Sequence, residues 1–451
     1  MENTREIVLD SLLELEREAG FSNVLVRQVL QKYDYLPARE KAFIKRVTEG
    51  TLERRIELDH ILNQFSGVPV PKMKPLIRQL MRMSVYQLFY MDSIPDSAVC
   101  NEAVRLAQKR HFQSLKGFVN GVLRNIARNK EKIVYPDKEK DWLRGVSVRY
   151  SMPVFLVKLW EKDYGREQTE RMCKAFLLVK PVSLRMSEAL SPGEQEALAA
   201  AWEEKGVLCE RDPYLPYAWR CRNLEGLHKL PGFPEGLVTV QDVSSMLVTE
   251  CAGIKAGDFV LDICAAPGGK SLHASLKAGE TGQVEARDLS EEKAELIREN
   301  AGRMKADRLH VKVRDARVFD AEAEGKADVL YLDLPCSGLG IIGKKRDIKY
   351  HVTKESLAEL AGLPREIIKT CWRYVKPGGI IMYSTCTVHR AENEEQVQWM
   401  CREFPLVPES LNPYLPKKLQ CGEAESGMLQ LVPGVHECDG FFLARLRRKE
   451  G

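Results

Sequence analysis

The chain has 451 residues, 44% of them hydrophobic and 29% charged, with a net charge of +4. This length accommodates two or three domains with separate cores, and the composition excludes a disordered or fibrous chain. The small positive charge permits nucleic-acid binding at local patches without requiring it. No stretch reaches the roughly 18 apolar residues of a membrane span, and Met1 to Ile7 lack a signal-type apolar core, so a cytoplasmic protein with no membrane partner is expected.

Residues 1–130 read as helical throughout. Val8, Leu12 and Leu15 share one face, as do Leu76, Leu80 and Met83, and then Val119, Val122 and Ile126. Cations cluster at Arg39–Arg46, Arg54-Arg55 and Lys109-Arg110; a solvated helical face and a nucleic-acid contact both fit that pattern. Residues 128–140 are charged and contain Pro136, which suits a linker. In residues 141–235 the pattern predicts helices over 154–160 and 167–176, a strand over 181–186 and a helix over 194–202. From 236 onward, predicted strands at 259–264, 282–287, 309–313, 328–333 and 379–384 alternate with helices, such as 291–303 and 355–374 with a break at Pro364. That alternation specifies a mainly parallel, doubly wound sheet, closed by a last strand over 440–446.

Five strand ends in this region carry chemistry. Phe259 to Cys264 runs into a loop of small residues, Cys264-Ala265-Ala266-Pro267-Gly268-Gly269-Lys270, and then a helix. Small residues let a ligand approach the backbone, and a helix start leaves N–H donors free. The spacing is neither a P-loop nor a dinucleotide fingerprint. Asp288, Asp315 and Asp333 each end a later strand. Asp288 falls where nucleotide-binding sheets place the acid for ribose hydroxyls, and the series suggests an adenosine cofactor with a positive centre. Cys336 follows Asp333 in a Pro-Cys turn, and Cys386 ends another strand 50 residues on. Two cysteines so placed converge on one cleft. A disulfide is the rival reading, disfavoured in a reducing compartment. The 12 cysteines include no C-x-x-C pair, so no metal site is expected.

The motifs Leu261-Asp-Ile-Cys-Ala-Ala-Pro-Gly-Gly-Lys270, Asp333-Leu-Pro-Cys-Ser-Gly338 and Tyr383-Ser-Thr-Cys386 resemble those of the RNA cytosine-C5 methyltransferases. Asp347-Ile-Lys-Tyr350, Glu392-Asn-Glu394 and Asp439-Gly-Phe-Phe442 fit the same pattern, and the resemblance covers residues 145–448. It implies S-adenosylmethionine held against Cys264–Lys270, with Asp288 on the ribose, Asp315 toward the adenine and Asp333 beside them. It assigns Cys386 as nucleophile, Cys336 to product release, Asp333 to the cytosine edge and Lys270 to the active site. The assignment suits the chemistry: C5 of cytosine attacks a methyl sulfonium only after a thiolate has added at C6. Arg185 matches the family's Leu-Arg-x-Asn arginine, with Ser187 replacing the Asn. It and the basic Lys344, Lys345 and Arg346 are the expected RNA contacts, though Gly343 and Arg346 depart from the family's usual residues.

Met83–Tyr90, Ile94-Pro95, Asn101–Val104 and Phe118–Arg124 are similar to the all-helical RNA-binding domain of the antitermination factor NusB. The expected architecture is therefore multidomain. It comprises an all-α NusB-like bundle (1–130), a small α/β RNA-gripping element (141–235) and a Rossmann-like α/β methyltransferase domain (236–451). Together the two resemblances point to the bacterial subfamily acting on 16S ribosomal RNA, at a cytosine of the 967 type. The partner is then naked 16S rRNA or an early small-subunit particle, not DNA, and the protein a monomer. The alternatives are a transfer-RNA enzyme of the same chemistry, a DNA cytosine-C5 enzyme using only the Pro-Cys cysteine, and a non-catalytic RNA-binding assembly factor. Cys386 argues against the DNA enzyme, and the intact motif set against the assembly factor.

Overall fold

The computed structural model describes residues 3–17, 22–224, 226–360 and 362–450. The chain divides into two compact units, Met1–Leu178 with Ile342–Thr353, and Val179–Ile341 with Lys354–Gly451.

The first unit is a helical bundle of α1 (Thr4–Arg17), α2 (Ser22–Lys32), α3 (Ala38–Glu53), α4 (Arg55–Phe65), α5 (Pro75–Tyr90), α6 (Asp96–Lys109), α7 (Lys116–Arg128), α8 (Trp142–Arg149) and α9 (Val154–Ala175). Pro75 opens α5, where a missing N–H costs nothing. Val119, Val122, Leu123 and Ile126 form the buried stripe of α7. Inside α9 the chain turns at Gly165, with φ 75°, which matches the break between the two predicted helices. The middle element was expected to begin at 141, yet α8 and α9 group with the bundle. The Ser151 hydroxyl between them accepts the Ile56 N–H at 2.9 Å, tying their junction to the start of α4.

Residues 342–353 also belong to this unit, although the chain reaches them from the Pro-Cys loop. Lys349 is 1% exposed and donates to the carbonyls of Glu53 (2.8 Å) and Ser151 (2.7 Å). Asp347 accepts the first N–H of α2, from Ser22, at 2.6 Å. The Arg55 guanidinium lies 3.6 Å from the centre of the Tyr350 ring.

The second unit holds two sheets. The smaller is antiparallel, in the order β2-β3-β1-β4, from β1 (Val182–Met186), β2 (Leu208–Arg211), β3 (Ala218–Arg222) and β4 (Val238–Val240). It packs on α10 (Pro192–Glu203), whose Ser191–Glu194 capping box fixes its start. After α11 (Val243–Ala252) come β5 (Phe259–Asp262), α12 (Gly269–Ala278), β6 (Gln283–Asp288), α13 (Glu291–Arg303), β7 (Leu309–Val313), β8 (Ala327–Asp333) and β9 (Val375–Thr385). Then follow β10 (Leu406–Pro408), β11 (Met428–Leu431) and β12 (Phe441–Arg448). The larger sheet runs β10-β12-β9-β8-β5-β6-β7, with β11 on β12. Strands β9, β8, β5, β6 and β7 are parallel, and β12 is antiparallel to β9. The order reverses between β5 and β8, which makes their carboxyl ends the topological switch point where such sheets bind ligands. The helix predicted over 355–374 is two, Lys354–Leu360 and Gly362–Cys371. Pro364 does not break it. It sits in the first turn of the second helix, where proline is tolerated. Among the described residues no helix is long and apolar enough to cross a membrane.

Candidate active site

The switch point gathers the expected reacting groups. Lys270, in the first turn of α12, donates to Asp333 Oδ2 at 2.7 Å, and Ser384 at the end of β9 donates to Asp333 Oδ1 at 2.7 Å. Burial opposes the charge on Lys270, but Asp333, Asp262 and Cys386 outweigh it and hold its pKa above the ordinary value. Cys336 and Cys386 bring their sulfurs to 3.4 Å. Neither is joined in a disulfide. The pKa of Cys336 is raised well above the usual value by its hydrogen bond to Cys386, by burial and by the charges of Cys386 and Glu392.

The loop carrying Cys336 is fastened by backbone. Gly340 N–H donates to the Cys386 carbonyl at 3.0 Å, and Gly440 N–H donates to the Gly340 carbonyl at 3.0 Å. A Cβ on Gly340 would collide with the Gly440 carbonyl, so glycine is required there.

The small-residue loop fits the part of a cofactor cradle. Gly268 has φ 100° and a Cβ there would press on Ile297, so the turn into α12 depends on glycine. The Ala266–Pro267 bond is cis. Asp288 Oδ2 accepts Ala266 N–H at 3.0 Å, while Oδ1 accepts Leu289 N–H at 2.8 Å and Lys293 lies 3.0 Å away. The acid at the end of β6 thus shapes the loop directly. Cys264 is half-buried at its start, and burial pushes its thiol up. Asp315 is turned to Arg317, 2.7 Å away, which holds its carboxyl below the usual range. No contact joins it to the loop among those described.

Two expected RNA contacts differ in the structure. Arg185 is 2% exposed: strand alternation points it away from the core residues Leu184 and Met186, and the opposite face of β1 is covered there too. Its nitrogens have no hydrogen-bond partner among the described residues. Burial lowers its pKa to about 10 against Tyr217, Glu188 and Glu250. Its guanidinium is not presented to solvent in this structure. The neighbouring Glu188, Glu250 and His273 could offer ligand atoms to a metal. Lys277 already lies 2.7 Å and 2.9 Å from the two carboxylates and offsets part of their charge. Arg346, half-buried, faces Glu49 and Glu53 at 3.6 Å each. Lys344 is exposed and Lys345 half-buried.

Several participants had no assigned role in the sequence reading. Ser384 shares Asp333, and Asp262, 1% exposed, accepts the Ser271 hydroxyl at 2.6 Å and ties β5 to α12. Asp262 ends an apolar strand like the other acids, which was the available signal.

A parallel sheet with a glycine-turned loop at its switch point, acids on successive strands and a helical bundle upstream defines an S-adenosylmethionine-dependent methyltransferase with an added helical domain. Residues 252–447 match the family model described as 16S rRNA methyltransferase RsmB/F, and residues 2–128 match that of the NusB family. The chain is 36% identical over 454 residues to the probable ribosomal RNA small subunit methyltransferase B of Bacillus subtilis (strain 168), covering 99% of each. It is 30% identical to the protein of the same description from Synechocystis sp. (strain ATCC 27184 / PCC 6803 / Kazusa), covering 99% of this chain and 100% of that one. Among solved structures, PH0851 superposes with a TM-score of 0.79 at 24% identity, covering 99% of both chains. NSun6 from Pyrococcus horikoshii with SFG gives 0.57 at 20% identity, over 66% of this chain and 99% of that one. The chain belongs to the ribosomal RNA small subunit methyltransferase B family.

Proposed function

We propose that this protein methylates C5 of a cytosine in 16S ribosomal RNA, of the 967 type, through a covalent adduct between Cys386 and C6. The observation that carries the reading is the 3.4 Å approach of Cys336 and Cys386 beside the Lys270–Asp333 pair. S-adenosylmethionine, when bound along Cys264–Lys270 with Asp288 and Asp315 toward its adenosine, supplies the methyl group. The thiolate of Cys386 adds to C6, and the electron pair displaced from the C5–C6 bond makes C5 nucleophilic. After transfer C5 loses its proton, the pair returns to the C5–C6 bond and Cys386 leaves, with Cys336 aiding release.

Asp333 accepts one hydrogen bond on each oxygen. Each oxygen keeps a second lone-pair site, so the carboxylate is able to take the N3–H and the amino N–H of a protonated cytosine adduct together. Lys344 and Lys345 are the proposed phosphate contacts. The substrate is 16S rRNA, naked or in an early particle, and the enzyme acts as a cytoplasmic monomer.

The test is to incubate Cys336→Ala with total cellular RNA and S-adenosylmethionine. A denaturation-resistant protein–RNA adduct is expected, absent from Cys336→Ala/Cys386→Ala, and sequencing its RNA names the target. Adduct on transfer RNA moves the substrate but keeps the chemistry. If no adduct forms while the native protein methylates RNA, the cysteine roles are wrong.

A further inference from the structure

Glu392 is 1% exposed and takes no part in the roles above. Its Oε2 accepts the Ser337 N–H at 2.7 Å, and its Oε1 accepts the Ser337 hydroxyl at 2.6 Å. Ser337 directly follows Cys336. The same Ser337 Oγ lies 2.8 Å from Oγ1 of Thr387, which directly follows Cys386. His389 Nδ1 completes the set, 3.1 Å from Oε1. Asn393 extends the clamp on the other loop. It takes the Thr385 hydroxyl on its carbonyl at 2.6 Å and donates to the Thr387 carbonyl at 3.1 Å. Both cysteines are thus flanked by residues tied to this pair.

A carboxylate withdrawn from water is costly, and an uncharged side chain could brace a loop more cheaply. The charge therefore calls for a reason, and the neighbouring groups supply one. Cys336 is faced by Cys386, Glu392 and Tyr383. The hydrogen bond to Cys386 and burial oppose a negative charge at Cys336 first, and the Glu392 carboxylate adds to them. Cys386 interacts with the Lys270 cation, which Asp333 also holds. A negative field on one sulfur and a positive one on the other separate two residues of identical chemistry.

We propose that Glu392 is a positioning residue that clamps the Cys336 loop to the Cys386 loop and keeps Cys336 a protonated thiol, so that only Cys386 ionises at neutral pH. The inference rests on the reading of these cysteines as the reacting pair. Its consequence is that Cys336 meets the Cys386 thiolate as a hydrogen-bond donor and not as a second anion at 3.4 Å.

Brief iodoacetamide pulses across pH 6–10, without RNA or S-adenosylmethionine, test it, with the Cys336 and Cys386 peptides quantified separately by mass spectrometry. In the native protein Cys386 is expected to be modified at lower pH than Cys336. In Glu392→Gln, which keeps an acceptor for Ser337, the Cys336 profile should move down by about one pH unit, a roughly tenfold faster reaction at fixed pH below the midpoint. Ser337→Ala keeps the carboxylate and should leave the midpoint in place. An unmoved profile in Glu392→Gln overturns the proposal, as does an equal shift in Ser337→Ala. If Glu392→Gln does not fold, Glu392→Asp withdraws the charge by one methylene and should give a smaller shift of the same sign; no shift again overturns it. The readout needs no methyl transfer, so its failure is distinguishable from failure of the RNA adduct experiment.

Discussion

His273 has no exposed surface, and burial together with the Arg185 cation drives its pKa down to about 3. In the unfolded chain its value returns to about 6.5, so between pH 3 and 6.5 the unfolded state binds the extra proton. Stability contributed by neutral His273 is therefore complete above that window and falls as pH falls through it, by up to about 1.4 kcal/mol per pH unit. Asp262 has the opposite sign. Burial raises its pKa to about 7, so the folded state holds the extra proton between pH 3.8 and 7 and loses that advantage as pH rises. The two slopes oppose each other in the native protein. Urea unfolding at pH 4.5 and 6.5 separates them. His273→Asn should lose less stability on acidification than the parent, and Asp262→Asn should lose more. Identical slopes in all three proteins would sink the account. At the reacting centre, Lys270→Met leaves Asp333 without its cation. It should lower kcat/KM on RNA by about a hundredfold or more, the scale of removing one fixed electrostatic group from an active site. A rate within threefold of native would remove Lys270 from the machinery.

Elements of the catalytic sheet were legible wherever burial on both faces wrote a continuous apolar run, as in β5, β8 and β9, each ending in a polar residue that meets the ligand edge. Other elements lacked that signal. β2 reads Leu208-Cys-Glu-Arg211 with little of it buried, and β4, β10 and β11 have only three or four residues each. The two cysteines could be paired from sequence because neighbouring parallel strands deliver them to one edge. The clamp at Glu392 could not, since its partner Ser337 is 55 residues away and a carboxylate reads as a surface residue until its burial is seen. Arg185 shows the converse. Its motif suggested a contact, but both faces of β1 are covered at that end, so neither side of the strand offers it an open surface. Loop attachment also makes a prediction at this scale. Gly340→Ala sets a methyl group against the Gly440 backbone, where no side chain can yield. The loop must shift, at about 1–3 kcal/mol of overpacking. A lower melting temperature is expected, with loss of the Cys386–RNA adduct when Gly340→Ala is added to Cys336→Ala, and an unchanged melting temperature with the adduct retained would show that the Gly340–Gly440 contact is dispensable.

At the scale of the whole molecule, the division of the chain is not the division of its sequence. The helical unit draws on residues 342–353, which lie far downstream of the bundle and follow the Pro-Cys loop. Their contribution is structural: the buried Lys349 ammonium satisfies the carbonyls of Glu53 and Ser151, and Asp347 caps α2. Without them those carbonyls lose their donor, the cost of an unmet buried group being about 1–3 kcal/mol. A fragment of residues 1–178 should therefore fold with a lower melting temperature than the same fragment given the missing piece. Adding a peptide of residues 342–353 supplies it by mass action, with about 2.7 kcal/mol expected at a hundredfold excess over Kd. The same peptide carrying Lys349→Met lacks the two donors and should stabilise the fragment much less. Calorimetry of the fragment with each peptide gives the answer. A rise in melting temperature with the native peptide alone would establish that the loop after Cys336 is anchored by the NusB-like unit. Equal melting with either peptide or none would mean that the bundle is complete without it, and that the segment's burial contributes nothing to holding the unit together.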